Sequence, residues 1–224
     1  YWMIFTIQLE IGVRLLNANL KQSWRDKTNW MTAGMFAITA LLLYSFAFNL
    51  TGGLVRNLLP GVIWTVFLFS GIFATAQSFQ QDRQNGILDA LKISPIHPMT
   101  IYIAKTLANI LMLLLIEFAL LLGATILFSE PLFVPQLIII VTIGTIGYTA
   151  LSTLRSAINL DRNNGGLLLP VLALPLLVPL LIAAVEATSA SLQQEAGTAP
   201  WILLLSLFTI WSAAIATLMF PLAD

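Results

Sequence analysis

Side chains that could do chemistry are rare in this sequence, and one group of them lies in a charged segment from Gln80 to Lys105, QQDRQNGILDALKISPIHPMTIYIAK. Within it, Ile87, Leu88 and Leu91 form an apolar patch at helical spacing. Pro95 ends this short predicted helix, because the residue before a proline avoids the αR conformation. A groove on a partner protein could accept such a patch. The patch could equally lie on the membrane or pack against the N-terminal helix.

A second candidate is Glu117, which lies in the middle of the apolar run from Ile110 to Leu122. At the centre of a membrane helix a charged side chain costs about 2.5–3.5 kcal/mol on insertion scales, so this carboxyl must be protonated or paired. Two interpretations stay open: a functional group, or a neutral acid bonded to a hydroxyl on a neighbouring helix with a structural role. Under the hypothesis that it is protonated at neutral pH, a Glu117→Gln variant that assembles but loses activity would show that ionisation matters.

Several kinds of site are missing from the sequence. The chain has no cysteine, which excludes disulfides, thiolate metal sites and thioether attachment of haem. The sole histidine, His97, has no second histidine or carboxylate pair beside it, and we interpret it as a residue at a helix entrance. The phosphate loop G-x-x-x-x-G-K-[ST] is also missing, so any energy from ATP must come from another chain. We expect no catalytic residue, no metal site, no enzyme activity of the chain by itself and no nucleic-acid partner.

The composition indicates a membrane protein, because 58% hydrophobic and 9% charged residues depart from the roughly 45–50% and 25% of soluble domains. Apolar stretches that approach or exceed the roughly 20 residues of a membrane span recur six times. Only helices fit, since these runs lack the alternation of a barrel strand. The fold class predicted is all-α, a polytopic protein of six transmembrane helices in one domain, 1–224. The spans predicted are Trp30 to Leu50, Leu58 to Phe79, Met99 to Phe128, Val134 to Leu154, Gly165 to Ala187 and Trp201 to Pro221.

Residues 1–28 have an organisation of their own. Apolar side chains recur there at spacings of three and four, with a polar stripe between them, and Glu10 and Arg14 lie one turn apart as an ion pair. This pattern predicts an amphipathic helix in the membrane interface, either as an anchor or as an elbow that helps to cradle a cytosolic partner. It does not resemble a cleaved signal peptide. The apolar positions are Trp2, Phe5, Leu9, Val13, Leu16, Leu20 and Trp24.

The distribution of lysine and arginine predicts the orientation. When the six predicted spans are threaded through the membrane, nine of the ten such residues fall on one side, and only Arg56 falls on the opposite side. The positive-inside bias therefore places both termini in the cytoplasm. The other nine residues are Arg14, Lys21, Arg25, Lys27, Arg83, Lys92, Lys105, Arg155 and Arg162.

Prolines and glycines mark two of the later spans. Pro170, Pro175 and Pro179 each remove a backbone donor from the fifth span, which predicts a kink that is either fixed or a moving hinge. Gly144 and Gly147 in the fourth span favour close helix packing over ligand contact.

The charged segment also carries a resemblance. The run from Asp82 to Lys105, with Gly86, Leu88, Leu91 and Pro95 at their spacings, looks like the coupling-helix segment of ABC-2 exporter permeases. Together with PGVIW at 60–64 and RNNGGLLLPVLALPLLVPLL from residue 162, it resembles the CcmB family, the haem-exporter B membrane subunits of cytochrome c maturation. The resemblance covers nearly the whole chain.

This resemblance implies a six-helix half-transporter of the ABC-2, type V exporter-like class in the prokaryotic cytoplasmic (inner) membrane. It implies a CcmA-type ATPase partner that binds the ATP, a CcmC-type haem-handling subunit, a CcmD-type small subunit and a CcmE-type haem chaperone, and it leaves a homodimer open. By position, the cytoplasmic coupling segment 80–98 would contact the ATPase, while no ligand in the chain supports direct haem binding. The carried-over positions are Arg83, Gly86, Leu88, Leu91 and Pro95. The spans before this segment fall in 30–79 and the later four in 99–224.

Three functions follow as expectations. The first is a permease subunit in cytochrome c maturation that couples ATP hydrolysis by a partner to haem delivery or to release of the haem-loaded chaperone. The second is an ABC-2 exporter of another hydrophobic or lipid-linked compound. The third is a membrane scaffold that docks a cytosolic protein without transport.

Overall fold

The computed structural model describes residues 2–25, 27–48, 53–75, 96–158, 168–193 and 197–220, and within these ranges the regular structure is helical, without a strand. This agrees with the all-α prediction. In chain order the helices described are α1 Trp2–Arg25, α2 Lys27–Phe48, α3 Gly53–Thr75, α4 Pro98–Phe128, α5 Pro135–Ile158, α6 Leu168–Leu192 and α7 Thr198–Met219.

Five of these helices, α2, α3, α4, α5 and α7, are long and apolar enough to cross a membrane. Each of the six predicted spans overlaps one of these helices; the second, predicted as Leu58 to Phe79, overlaps Gly53–Thr75, and residues 76–79 lie outside the described residues. In α6 the part with described side chains, Leu177–Leu192, is apolar but too short to span by itself. A multi-pass membrane protein is therefore established, and the sixth crossing stays a prediction.

Helix α5 lies at the centre of the bundle, packed against α3, α4, α6 and α7. In its spanning window 72% of the residues are buried, against 17% in α2, so α2 is a peripheral helix. Close approach depends on glycine: a Cβ at Gly144 would collide with the ring of Trp64, whose Nε1 donates to Thr188 Oγ1 (2.9 Å). Gly147 faces Leu180 and Thr209 in the same way. Both glycines therefore occupy close-packing positions, as the sequence predicts.

Helix α1 packs along the beginning of α4, where Gly12 approaches Thr100. Its half-buried apolar side chains include Ile11, Leu15, Leu16 and Leu20, whereas Val13 and Trp24 are 50% and 69% exposed. The apolar stripe is thus divided between a face that packs on the protein and a face that does not. The predicted pair is confirmed, since Arg14 Nη2 lies 2.8 Å from Glu10 Oε1. The interfacial position of α1 stays a prediction.

A polar cluster joins helices at the opposite end of the bundle from α1. Arg56 Nε, near the start of α3, lies 3.2 Å from both carboxylate oxygens of Glu130, which follows α4. Gln193 Nε2, just after α6, donates to Asn57 Oδ1 (3.2 Å). The ion pair is partly exposed, so it stabilises the fold by no more than about 1 kcal/mol.

Two sequence predictions concern the coupling segment and the prolines of α6. The segment from residue 76 to 95, which carries Arg83, Gly86, Leu88, Leu91 and Pro95, lies outside the described residues. In α6 the helix continues through Pro170, Pro175 and Pro179. Whether the helix bends at these prolines stays a prediction.

Candidate functional site between α4 and α5

A stripe of buried polar side chains runs along α4. Lys105, Asn109 and Glu117 are all buried, although the helix around them is almost wholly apolar. They are separated by four and eight residues, which places them on one face of the helix. Leu113 completes the four-residue repeat and is also buried. The α4 stripe is therefore directed into the bundle, away from lipid.

A matching stripe lies on α5, where Thr145, Thr149 and Thr153 are buried at the same four-residue interval. Because α4 and α5 follow each other and run antiparallel, the two stripes meet in opposite order. Thr145 Oγ1 donates to Glu117 Oε2 (2.6 Å), and Asn109 Nδ2 donates to Thr153 Oγ1 (3.2 Å). We call Lys105, Asn109, Glu117, Thr145, Thr149 and Thr153 the polar seam.

A third hydrogen bond connects the same two helices nearer to the start of α4. Tyr102 OH donates to the carbonyl oxygen of Ala150 (3.0 Å), and the ring of Tyr102 packs on Phe220 with centroids 4.8 Å apart. In lipid the hydrophobic effect gives little help to helix association, so interhelical hydrogen bonds of this kind contribute a larger share of it. The polar seam and Tyr102 therefore hold α4 and α5 in a defined register.

The hydrogen bonds of Thr145 constrain what Glu117 can be. Thr145 Oγ1 lies 2.6 Å from Glu117 Oε2 and also 2.7 Å from the carbonyl oxygen of Val141. A hydroxyl has one proton, and a carbonyl can only accept. When Thr145 donates to Val141, the contact with Glu117 therefore needs a proton from the carboxyl group itself. A neutral Glu117 satisfies both contacts at once. Thr145 thus provides the hydroxyl on a neighbouring helix that the structural interpretation of Glu117 requires.

Charge pairing does not explain Glu117 within the seam. Lys105 lies three turns away on α4, about 18 Å along the axis at 1.5 Å per residue, which is too far for an ion pair. Glu117 is only 6% exposed, so water contributes little to its solvation. The hydroxyl of Thr145 is consequently the polar contact that matters most for this carboxyl.

The sequence model of the CcmB protein family matches residues 10–223, which include the polar seam and the predicted coupling segment. The chain belongs to the CcmB family. The resemblance noted in the sequence is thereby confirmed.

Curated CcmB relatives support the same assignment. Heme exporter protein B of Pseudomonas aeruginosa is 30% identical over 166 residues, 71% of this chain and 72% of the relative. Heme exporter protein B of Paracoccus denitrificans is 29% identical over 219 residues, 93% of this chain and 95% of the relative. The protein of that name in Escherichia coli K12 is 26% identical over 194 residues, 85% and 82% of the two chains. Each of these matches covers more than two thirds of both chains.

Side chains that could bind a metal or haem are scarce in this CcmB chain, which has one histidine and no cysteine. Among the residues that the structure describes, no group of three or more His, Cys, Asp or Glu side chains could hold a metal ion. His97 accepts a hydrogen bond on Nδ1 from the backbone N–H of Met99 (3.2 Å) and is the N-cap of α4, with Pro98 at the first helical position. His97 therefore serves a helix entrance, as its sequence context indicates.

Sequence reasoning identified only one member of the polar seam as a site candidate. It singled out Glu117 and did not recognise Asn109, Thr145 or Thr153. A usable signal was present, because polar residues recur at intervals of four or eight positions in both helices of this CcmB protein. The remaining sequence candidates are not brought to the seam: Pro179 lies in α6, and the coupling positions fall outside the described residues.

Proposed function

We propose that this chain is the membrane subunit of a haem-export complex, in which it couples a partner ATPase to haem delivery or to release of a haem-loaded chaperone during cytochrome c maturation. The observation that carries the proposal is the CcmB family match over residues 10–223, with relatives named heme exporter protein B over most of their length. The proposed assembly includes CcmA-, CcmC-, CcmD- and CcmE-type proteins. Six crossings, an inner-membrane location and cytoplasmic termini belong to the same proposal.

The proposed motor is a separate chain. The sequence has no phosphate loop, so a nucleotide would be bound by the partner. The proposed contact is the coupling segment at Arg83, Gly86, Leu88, Leu91 and Pro95. What supports it is position: the segment lies between α3 and α4, and its apolar patch at Leu88 and Leu91 resembles surfaces that enter grooves on partner proteins.

Helix α4 is the proposed transmission element. It begins directly after the coupling segment, and it packs against α1, α2, α3 and α5. Its hydrogen bonds to α5, from Tyr102 and Asn109 and through Glu117, favour movement of the two helices as a unit. In the proposed mechanism, closure of the ATPase dimer pulls on Leu88 and Leu91, and α4 with α5 carries the displacement across the membrane.

Replacing Leu91 by Arg tests the contact with the ATPase. We expect the variant to insert normally but to lose about 10-fold or more of the ATPase that co-purifies with it, because a charge in a desolvated apolar contact has no partner. The measurement is an affinity pull-down from mildly solubilised membranes, with the bound subunits identified by mass spectrometry.

A matched control places the same charge at the other end of the bundle. Ala199 is exposed in the first turn of α7, so Ala199→Arg should leave recovery of the ATPase unchanged. Equal recovery with Leu91→Arg and wild type would refute the proposed contact. An ATPase recovered without any haem-maturation protein would instead favour export of another hydrophobic compound, and recovery of no ATPase from wild type would favour a scaffold.

A further inference from the structure

A groove of about 700 Å³ lies between α2 and α4, away from the polar seam. Its lining is apolar, and small residues from both helices make the space: Gly34 and Ala37 on α2, and Ala119 and Gly123 on α4. At Gly34 a Cβ atom would meet nothing within 4 Å. The groove therefore owes its open space to the small residues on α2 and α4.

The length of the groove is comparable with one leaflet of a bilayer. Its lining follows α2 from Met31 to Leu42 for about 17 Å and α4 from Met112 to Leu127 for about 22 Å, at 1.5 Å per residue. Half of a hydrocarbon core of about 30 Å is about 15 Å. Spread over these lengths, the volume gives a mean cross-section of about 30–40 Å², which is well below that of a helix about 10 Å across. The space suits extended hydrocarbon chains better than a partner helix.

One end of the groove lies next to a basic stretch of α1. Ser23 and Trp24 of α1 line it there, together with Trp30 at the beginning of the α2 span. Tryptophan is typical of the boundary between headgroups and hydrocarbon. The exposed side chains Lys21 and Arg25 flank Ser23 and Trp24 in α1, and the stretch 21–27 has three basic residues and one acidic residue. A ligand with an anionic head and an apolar tail is complementary to this end.

We propose that this groove binds an anionic phospholipid, with acyl chain between α2 and α4 and phosphate beside Lys21 and Arg25. The lipid would fill the space left by Gly34 and connect α1 to the α2–α4 pair. Basic residues at a membrane surface attract anionic headgroups, which gives the site a preference over zwitterionic lipids. The proposed site uses none of the residues assigned to the ATPase contact.

Filling the groove tests the proposal. Leucine at position 34 enters open space and removes a helix-interior glycine, so Gly34→Leu should fold normally. The purified, delipidated protein is titrated with phosphatidylglycerol, and native mass spectrometry counts the lipid retained. We expect wild type to retain one phosphatidylglycerol in preference to phosphatidylcholine, and Gly34→Leu to bind it at least 10-fold more weakly. Gly61→Leu is the matched control, because a Cβ on Gly61 of α3 also meets nothing within 4 Å, and it should bind as wild type does.

The headgroup contact has its own test. A double variant, Lys21→Gln with Arg25→Gln, should lose the preference for phosphatidylglycerol by about 10-fold while its affinity for phosphatidylcholine stays unchanged. Equal binding of phosphatidylglycerol to wild type and Gly34→Leu would overturn the proposal. Two other results would also overturn it. If wild type gave a Soret band on titration with haem, and Gly34→Leu abolished that band without changing lipid binding, the groove would be a haem site. If wild type gave a dimer mass that Gly34→Leu abolished in the same way, the groove would be a contact with a second copy of the chain.

Discussion

Replacing Gly147 by Leu should strongly destabilise the bundle. A Cβ atom there would lie 2.5 Å from Leu180 Cδ1, 2.7 Å from Thr209 Oγ1 and 3.2 Å from the backbone Cα of Thr209. Overpacking typically costs about 1–3 kcal/mol. Displacing Thr209 also removes its hydrogen bond to the carbonyl of Ile143 (3.1 Å), so we expect a loss of about 3 kcal/mol or more in the free energy of unfolding. Titration of the micellar protein with a denaturing detergent, followed by circular dichroism, measures this loss.

The cause of the Gly147 effect can be separated from helix propensity. Leucine is a better helix former than glycine, so propensity alone predicts stabilisation. Gly61→Leu makes the same chemical change in α3 where there is open space, and it should leave the stability unchanged or slightly higher. If Gly147→Leu were as stable as Gly61→Leu, the close packing of α5 against α6 and α7 would be wrong.

The helical architecture could be predicted because lipid leaves few alternatives. A run of about 20 apolar residues must satisfy its backbone within itself, so composition and length alone locate helices such as α4 and α5. The precise ends could not be predicted in the same way. As described, α3 already includes residues 53–57, ahead of the apolar run at Leu58, and Arg56 and Asn57 are accommodated there by Glu130 and Gln193 from distant parts of the chain. Such tertiary partners are not visible in a local pattern.

The candidate site was only partly predictable for a related reason. Glu117 is conspicuous because its charge is costly in an apolar run. Thr145 and Asn109 are not conspicuous, because hydroxyl and amide side chains are tolerated in many membrane helices. Only the antiparallel contact of α4 and α5 shows that they meet Glu117 and Thr153. Periodicity could have indicated the two stripes, but their register depends on the loop at 129–134 and on packing.

Substitutions at Glu117 should divide sharply by the charge that they introduce. Glutamine offers Thr145 Oγ1 the same donor and acceptor groups as a neutral carboxyl, so Glu117→Gln should unfold within about 0.5 kcal/mol of wild type. Lysine instead places an ammonium in a site that is 6% exposed, where a charge at the helix centre costs about 2.5–3.5 kcal/mol on insertion scales. We expect Glu117→Lys to accumulate poorly and, where recovered, to elute as a loosened species in size-exclusion chromatography.

A lysine at the neighbouring position 118 separates the cost of placing a charge deep in the membrane from the cost of burying it in the helix bundle. Phe118 lies at the same depth but is 55% exposed on the outside of α4. Phe118→Lys has the same insertion cost but disturbs no helix contact of the polar seam, so it should accumulate better than Glu117→Lys. If the two lysine variants fail equally, the cost is one of insertion alone, and the buried position of Glu117 contributes nothing.

Activity of the glutamine variant then decides between the two interpretations of Glu117. Glutamine keeps the hydrogen bond to Thr145 but can never ionise, so a structural carboxyl predicts a holocytochrome c yield within about twofold of wild type in a strain that lacks the native chain. A normal complex with a yield reduced 10-fold or more would mean that the carboxyl must lose or gain a proton during the cycle.

Thr145→Val is the companion variant, because it removes the hydroxyl and leaves Glu117 able to ionise. If Glu117 transfers a proton, Glu117→Gln should lower the yield more than Thr145→Val does. If the contact is purely structural, Thr145→Val should lower the yield more, because it breaks the hydrogen bond that Glu117→Gln keeps.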